Sequence, residues 1–145
     1  AMNLAFMWHI VGDGSERARV EILITENGLK DYVILEGSKT NPYPYMKYAD
    51  LFVHPSYIES QGLTVLEAMA LGVPCVVTKS RGPCEFIEDG INGLLTEQSP
   101  ESLAEKVLSI LTDKTLYQSI KENTVCPEQF APDRVMKQIE ELIDG

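Results

Sequence analysis

Two glutamates stand eight positions apart around the start of a predicted helix. Glu59 lies in a polar loop, and Glu67 lies within an apolar segment that reads as a helix from about Gly62. The first amides of a helix have no intrahelical acceptor and carry the positive end of its dipole, so they bind anions. We predict that the backbone amides of Gly62, Leu63 and Thr64 hold a diphosphate. Gly62 is expected to leave room for its approach because it has no side chain.

Glu67 is the charged residue of an otherwise apolar helix. Its neighbours are Leu63, Val65, Leu66, Ala68, Met69, Ala70 and Leu71. A buried carboxylate without partners is unfavourable by several kcal/mol. The two hydroxyls of a ribose would satisfy it, so one interpretation is a ribose-binding residue. The other interpretation is a solvated glutamate on an exposed strip of the helix.

Short apolar segments alternate with amphipathic ones along the whole chain. We predict strands at 6–11, 33–35, 51–53, 75–77 and 94–95, helices at 16–27, 63–71, about 100–111, 114–123 and from 132 onward, and helical turns at 42–48 and 83–87. Ser15 is expected to cap the first helix and Gly28 to end it. Strands alternating with helices indicate an α/β fold, a Rossmann-like three-layer α/β/α arrangement with one parallel sheet buried on both faces. No linker or repeat is visible, so residues 1–145 are predicted to form a single domain.

Composition excludes several classes of function. The chain has 22 acidic and 12 basic residues, a net charge of −10, and a nucleic acid would be repelled by most of such a surface. No apolar segment approaches the ~20 residues of a membrane span, and no secretory signal is recognised. The cysteines are odd in number and lack metal-ligand spacing, which favours a reducing cytoplasm and small core residues over a disulfide framework or a zinc site. They are Cys75, Cys84 and Cys126.

Most of the chain resembles the GT4 family of retaining GT-B glycosyltransferases. ESQGLTVLE is similar to the family's E-x7-E arrangement, and EAMALGVPCVVT is similar to the conserved stretch that follows it. IVGDGSERARVE, NPYPYMKYADLFVHPS and RGPCEFIEDGINGLL resemble further family stretches, in the same order. Two departures stand out. Ser60-Gln61 replaces the usual Gly-Phe, which affects sugar preference, and Arg81 replaces a glycine, where its side chain would either reach a phosphate or crowd the site.

The resemblance implies the C-terminal half of a GT-B fold, which binds a UDP- or GDP-sugar in an enzyme of polysaccharide biosynthesis. The parent enzyme would transfer a hexose to an acceptor with retention of configuration, without a further cofactor or metal ion. Glu59, the candidate catalytic residue, is implied to contact the hexose together with adjoining amides such as that of Gln61, and Glu67 to take the ribose. The other implied donor-site residues are Gly12, Gly37, Ser38, Gly62, Leu63, Thr64 and Arg81, of which Gly37 and Ser38 would lie near the base.

Two parts of the family's architecture are not recognised in this sequence. One is the N-terminal domain that holds the acceptor, which is an expected partner. The other is the first strand of the donor domain, which carries a basic pair and is central in the family's 3-2-1-4-5-6 order. Unpaired buried amides cost ~1–3 kcal/mol each. We therefore expect the strands at 6–11 and 51–53 to close together, or a second copy of the chain to cover the gap.

Two other functions stay open at this stage. One is a nucleotide-sugar epimerase on the same scaffold, and the other is a non-catalytic, truncated binding module. The E-x7-E motif favours the transferase. We expect the chain alone to lack turnover and to contact membrane only through its parent enzyme. His54, at the end of a predicted strand, is expected to bond to loop backbone, with a general base as the alternative.

Overall fold

A computed structural model describes residues 6–125 and 127–128, which divide into two compact units, one through residue 45 and one from residue 46 onward. The elements are β1 (Trp8–Val11), α1 (Arg17–Glu26), β2 (Val33–Gly37), α2 (Tyr43–Lys47), β3 (Phe52–His54), α3 (Leu63–Ala70), β4 (Cys75–Thr78), a 3-10 turn (Pro83–Glu85), β5 (Leu94–Thr96), α4 (Pro100–Thr112) and α5 (Lys114–Asn123). The α/β, Rossmann-like class predicted from the sequence is confirmed. The helix predicted from Pro132 onward lies outside the described residues, and the single domain over 1–145 stays a prediction.

The first unit is a β-α-β element with parallel strands. Trp8 pairs with Val33, and the register shifts just before Val11. α1 starts at Arg17 without a side-chain cap, so the predicted cap by Ser15 is wrong, because the residue at the cap position is Glu16. β1 is exposed at all four positions, so the predicted burial on both faces does not hold for it. A two-stranded sheet with one connecting helix supplies too few neighbours to cover both faces of a strand.

The second unit is built around β4. Its sheet is parallel with the order β3-β4-β5, and all four residues of β4 are buried. Cys75 and Val77 belong to the core cluster on one side, with Val65 and Met69 of α3. Val76 belongs to the cluster on the other side, whose further members are Leu94, Ile110 and Ile120. The alternation of side chains along the strand therefore fills two layers, as expected for a strand covered by helices on both faces.

Helix ends in the second unit carry local capping residues. The Ser99 side chain accepts the amide of Ser102 at 3.1 Å, and Pro100 occupies the first turn of α4. Asp113 caps α5 by accepting two backbone amides. Gly72 follows α3 with a φ of +71°, a conformation that favours glycine. These local signals fix where the helices begin and end, and hence which residues follow each strand.

The two cysteines of the described residues have different environments. Cys75 is buried in the core, where burial raises the pKa of its thiol to about 12. Cys84 is exposed on the 3-10 turn, so the prediction of a core residue is wrong there. A short turn presents one side to solvent, and Cys84 lies on that side.

The described strands form two separate sheets, β1-β2 and β3-β4-β5. The expected closing of the strands at 6–11 and 51–53 stays a prediction, because the two strands belong to different units. Covering of the gap by a second copy of the chain stays a prediction. None of the helices in the described part of the chain has the length and apolar character that crossing a membrane requires.

Candidate functional site

The loop between β3 and α3 is organised around the carboxylate of Glu59. Its Oε1 accepts the backbone amide of Gln61 at 3.1 Å and that of Gly62 at 3.0 Å. The amide of Gly62, then that of Gln61, and to a lesser degree the nearby His54 lower the pKa of Glu59. Glu59 is therefore an anion at neutral pH, and it closes the loop onto the start of the helix. The structure brings together three predicted site residues, Glu59, Gln61 and Gly62.

Gly62 is required for a different reason from the one predicted. Its φ is +71°, in the left-handed region that disfavours side chains. A Cβ atom here would also lie 3.1 Å from Cζ of Phe86 and 3.1 Å from Cγ of Pro83. The missing side chain thus makes room for protein packing. That it also leaves room for an anion stays a prediction.

The first two amides of α3 are placed to bind an anion. The N-cap of this helix is Gly62, whose own amide is engaged by Glu59. No acceptor is found for the amides of Leu63 and Thr64 within the described part of the chain. Both residues are exposed, and 60% of Leu63 is accessible. Of the three amides predicted to hold a diphosphate, Leu63 and Thr64 remain the open donors.

Glu67 lies on the outward strip of α3. It is half-buried, and it stands three and four positions after Thr64 and Leu63, so the three residues share one helix face. The opposite face is buried and consists of Val65, Leu66, Ala68 and Met69. The argument from a fully buried carboxylate is therefore corrected, because the helix is amphipathic. This position is compatible with a ribose-binding residue next to the amides of Leu63 and Thr64. It is equally compatible with a solvated glutamate.

The loop after β4 packs directly against the Glu59 loop. The amide of Gly82 donates to the carbonyl oxygen of Glu59 at 3.2 Å. A Cβ atom at Gly82 would lie only 2.6 Å from the carbonyl carbon of Gln61. Arg81 is exposed and forms no ion pair within the described residues, whereas Lys79 is paired with Glu97, which raises the pKa of Lys79. Arg81 thus directly precedes a residue that packs on the Glu59 loop, and its guanidinium has no ion-pair partner among these residues.

We predicted that the His54 side chain bonds to loop backbone, but its Nε2 atom has no hydrogen-bond partner among the described residues. That atom lies 3.4 Å from Oε2 of Glu59. The backbone contact runs through the main chain of His54 instead, since its carbonyl oxygen accepts the hydroxyl of Thr78 at 3.3 Å. The side chain of His54 faces a carboxylate rather than backbone because Glu59, five residues later, folds back toward the end of β3.

The remaining predicted donor residues lie in the first unit, where the two strands end. The amide of Gly12 donates to the carbonyl oxygen of Gly37 at 3.0 Å, and Gly37 has a φ of +70°. Ser38 follows and is exposed. Asp13 stabilises the turn by accepting the amide of Gly14 at 2.8 Å. The structure therefore places Gly12, Gly37 and Ser38 at one sheet edge, the edge at which ligands bind in α/β folds.

A polar cluster around Glu36 was missed by sequence reasoning. Its Oε1 lies 2.9 Å from Nδ1 of His9, and its Oε2 accepts the hydroxyl of Tyr45 at 2.9 Å and lies 3.1 Å from Nζ of Lys39. These bonds, the one with His9 first, lower the pKa of Glu36 to about 2. The signal in the sequence was a single acid next to an apolar segment, residues 33–35, just as Glu67 is a single acid within an apolar helix. The cluster ties β1, β2 and α2 to the segment that contains Ser38.

Acidification is expected to loosen the first unit. The folded state lowers the pKa of Glu36 from its ordinary value of 4.5 to about 2. The ionised carboxylate therefore stabilises the fold at pH values above 4.5, and this stabilisation is lost as the pH falls toward 2. The fluorescence of Trp8, the single tryptophan and the neighbour of His9, reports on this change. Glu36→Gln is expected to remove most of the change between pH 5 and pH 2, whereas Glu26→Gln on the surface of α1 retains it. Identical titrations of the wild type and Glu36→Gln would contradict the prediction.

Two cavities among the described residues are lined by no predicted site residue. One, of about 230 Å³, is lined by Glu21, Ile24, Thr25, Lys30, Val33 and Leu35. The other, of about 210 Å³, is lined by Cys84, Glu85, Phe86, Ile87, Glu88, Asn92, Val125 and Pro127. In the described part of the chain no group of three or more His, Cys, Asp and Glu side chains is arranged to hold a metal ion. The part of the predicted site at the start of α3 lies on exposed surface, where Leu63 and Thr64 are accessible to solvent.

Comparisons with known proteins point to one family. Residues 2–125 match the family model described as glycosyl transferases group 1. The chain is 32% identical to N-acetyl-alpha-D-glucosaminyl L-malate synthase of Bacillus anthracis over 136 residues, which cover 92% of the chain and 36% of that protein. It is 34% identical over 118 residues to the lipopolysaccharide core biosynthesis glycosyltransferase LpsE of Rhizobium meliloti, covering 81% and 34%. The chain thus spans about a third of the length of these relatives.

Solved structures give the same result. The chain resembles Anabaena Alr3699/HepE in complex with UDP, with a TM-score of 0.83 and 30% identity, covering 96% of this chain and 41% of that one. The same Anabaena protein has also been solved with UDP-glucose. A TM-score of this size means that the fold is shared.

Proposed function

Because the chain belongs to the glycosyl transferases group 1 family, we propose that it is the part of a glycosyltransferase that binds the nucleotide diphosphate sugar donor. The observation that carries the proposal is the start of α3. There, two open amides, those of Leu63 and Thr64, lie between an oriented carboxylate, Glu59, and a half-buried one, Glu67. Amides at a helix start bind phosphate, and carboxylates accept hydrogen bonds from sugar hydroxyls.

The nucleotide part of the donor is assigned to three groups. The distal phosphate binds the amides of Leu63 and Thr64, where the helix dipole favours negative charge. Arg81, exposed and without an ion pair in the described residues, supplies a countercharge. Glu67 accepts the ribose hydroxyls one turn further along the same helix face. A protein of net charge −10 needs such local positive potential to hold a diphosphate.

The base of the donor is assigned to the loops that follow β1 and β2. Gly12 and Gly37 bring main chain close together at the ends of β1 and β2, and Ser38 continues that edge. Main chain that is free of bulky side chains allows a planar base to approach closely. The Glu36 cluster holds the adjoining segment in place.

Glu59 is assigned to the transferred hexose. Its Oε1 is occupied by two backbone amides, so Oε2 is the atom available to a sugar hydroxyl. The parent reaction would transfer the hexose with retention of configuration, and the amides and Arg81 would stabilise charge on the departing diphosphate. We propose that the chain alone lacks turnover, because the residues assigned here bind the donor and none of them is assigned to an acceptor.

UDP is the first ligand to test, since the Anabaena relative was solved with UDP and with UDP-glucose. Calorimetric titration of UDP, GDP and UDP-glucose into the chain is expected to show saturable binding of the uridine compounds. GDP serves as the matched control for base selectivity. Tighter binding of GDP would redirect the assignment to GDP-sugars. No binding of any of the three would reject the donor-site proposal and favour a non-catalytic module.

A further inference from the structure

The position of His54 is not explained by the donor-site assignment. Its Nε2 atom is buried and has no hydrogen-bond partner among the described residues. It faces Oε2 of Glu59 at 3.4 Å, whereas good N–H···O bonds span about 2.7–3.2 Å. A buried polar group without a hydrogen bond is unfavourable. The pair therefore gains from shortening this distance.

The two oxygens of Glu59 have different surroundings. Oε1 is held by the amides of Gln61 and Gly62, so the carboxylate cannot rotate freely. Oε2 faces His54, and an ionised carboxylate is an acceptor only. Each carboxylate oxygen has two lone-pair positions, so a bond from His54 leaves one position on Oε2 for another donor.

We propose that His54 is a positioning residue for Glu59. Its Nε2–H donates to Oε2 and directs the remaining lone pair of that oxygen toward a hydroxyl of the donor sugar. This inference rests on the proposed function, in which Glu59 contacts the hexose. The imidazole ring is held in place by its surroundings. His54 is the last residue of β3, its carbonyl oxygen accepts the hydroxyl of Thr78, and its ring stacks on Phe52 with 6.3 Å between the ring centroids. His54 thus acts on the sugar through Glu59 and not on the nucleotide.

The experiment compares dissociation constants for UDP and UDP-glucose in matched variants. His54→Asn is expected to weaken UDP-glucose about tenfold and to leave UDP unchanged, because the nucleotide is held by other groups. His54→Gln carries a side-chain N–H that reaches the place of Nε2, so it is expected to restore most of the UDP-glucose affinity. Both variants remove the ring, which separates the hydrogen bond from packing.

Three outcomes overturn the inference. Equal weakening of UDP and UDP-glucose in His54→Asn would mean that the residue only supports the fold. Unchanged binding of both would mean that Glu59 does not depend on it. Failure of His54→Gln to exceed His54→Asn would exclude the hydrogen bond. Absence of UDP binding by the wild type is a separate result, which rejects the proposed function and the inference with it.

A measurement on the wild-type chain tests the same bond without a variant of His54. The proposal requires a proton on Nε2, which the ¹⁵N chemical shifts of the imidazole ring report. The chain has two histidines, so spectra of a His9→Gln variant assign the signals. A bare Nε2 with the proton on Nδ1 would place two acceptors face to face and would overturn the proposal.

Discussion

Glu67→Ala is expected to weaken the binding of UDP by about 10- to 100-fold. The carboxylate lies one turn beyond the amides of Leu63 and Thr64 on the same face of α3, and there it would accept both hydroxyls of a ribose. Alanine is the best helix former, so the helix itself is expected to persist. Calorimetry with UDP measures the loss. Glu105→Ala, which removes an exposed glutamate of α4, is the matched control and should bind UDP as the wild type does.

A nucleotide without one ribose hydroxyl makes this test specific. The wild type is expected to bind 2′-deoxy-UDP several-fold more weakly than UDP, because one bond to Glu67 is lost. In Glu67→Ala the two nucleotides should bind alike, since no carboxylate remains to distinguish them. A variant that still prefers UDP by the wild-type factor would show that Glu67 does not contact the ribose. That result would leave the solvated glutamate as the correct interpretation.

Element boundaries could be predicted because their signals are local. Gly62 and Gly72 bracket α3, and Ser99 with Pro100 opens α4, as their conformational preferences require. What these signals could not give is the environment of a residue. Gly62 marks the start of the helix correctly, but its contacts with Pro83 and Phe86 come from a segment twenty residues later.

The site residues that escaped prediction depend on contacts between distant segments. Glu36 meets His9 from 27 positions away and Tyr45 from nine. A glycine is required at position 82 because the backbone of Gln61 leaves no room for a Cβ atom. No sequence pattern around residue 82 indicates that these two segments pack so closely. His54 was expected to bond the backbone because strand ends commonly do, whereas its ring faces a carboxylate. Charge and periodicity identify residue types that can do chemistry, and only the packing of loops decides which of them meet.

This packing leads to the second large effect, which concerns Gly82. Gly82→Ala is expected to lower the free energy of unfolding by about 1–3 kcal/mol and to weaken UDP-glucose binding about tenfold. The backbone of Gly82 has φ −60° and ψ −60°, which alanine adopts readily, so strain in the residue itself is not the cause. The added Cβ would lie 2.6 to 2.8 Å from three backbone atoms of Gln61. Backbone cannot rotate away as a side chain does, so the loop that holds Glu59 must move.

Two comparisons separate this steric effect from a general sensitivity to alanine. Gly14→Ala places a Cβ where no atom lies within 4 Å, so it should leave the free energy of unfolding within about 0.5 kcal/mol of the wild type. In Gly82→Ala the loss of affinity should be larger for UDP-glucose than for UDP, because Gln61 adjoins the carboxylate assigned to the sugar, whereas the amides of Leu63 and Thr64 belong to the helix. Chemical denaturation and calorimetry give the two quantities. Wild-type stability and affinity in Gly82→Ala would mean that the two loops are not packed as described, and the orientation of Glu59 would then lose its structural support.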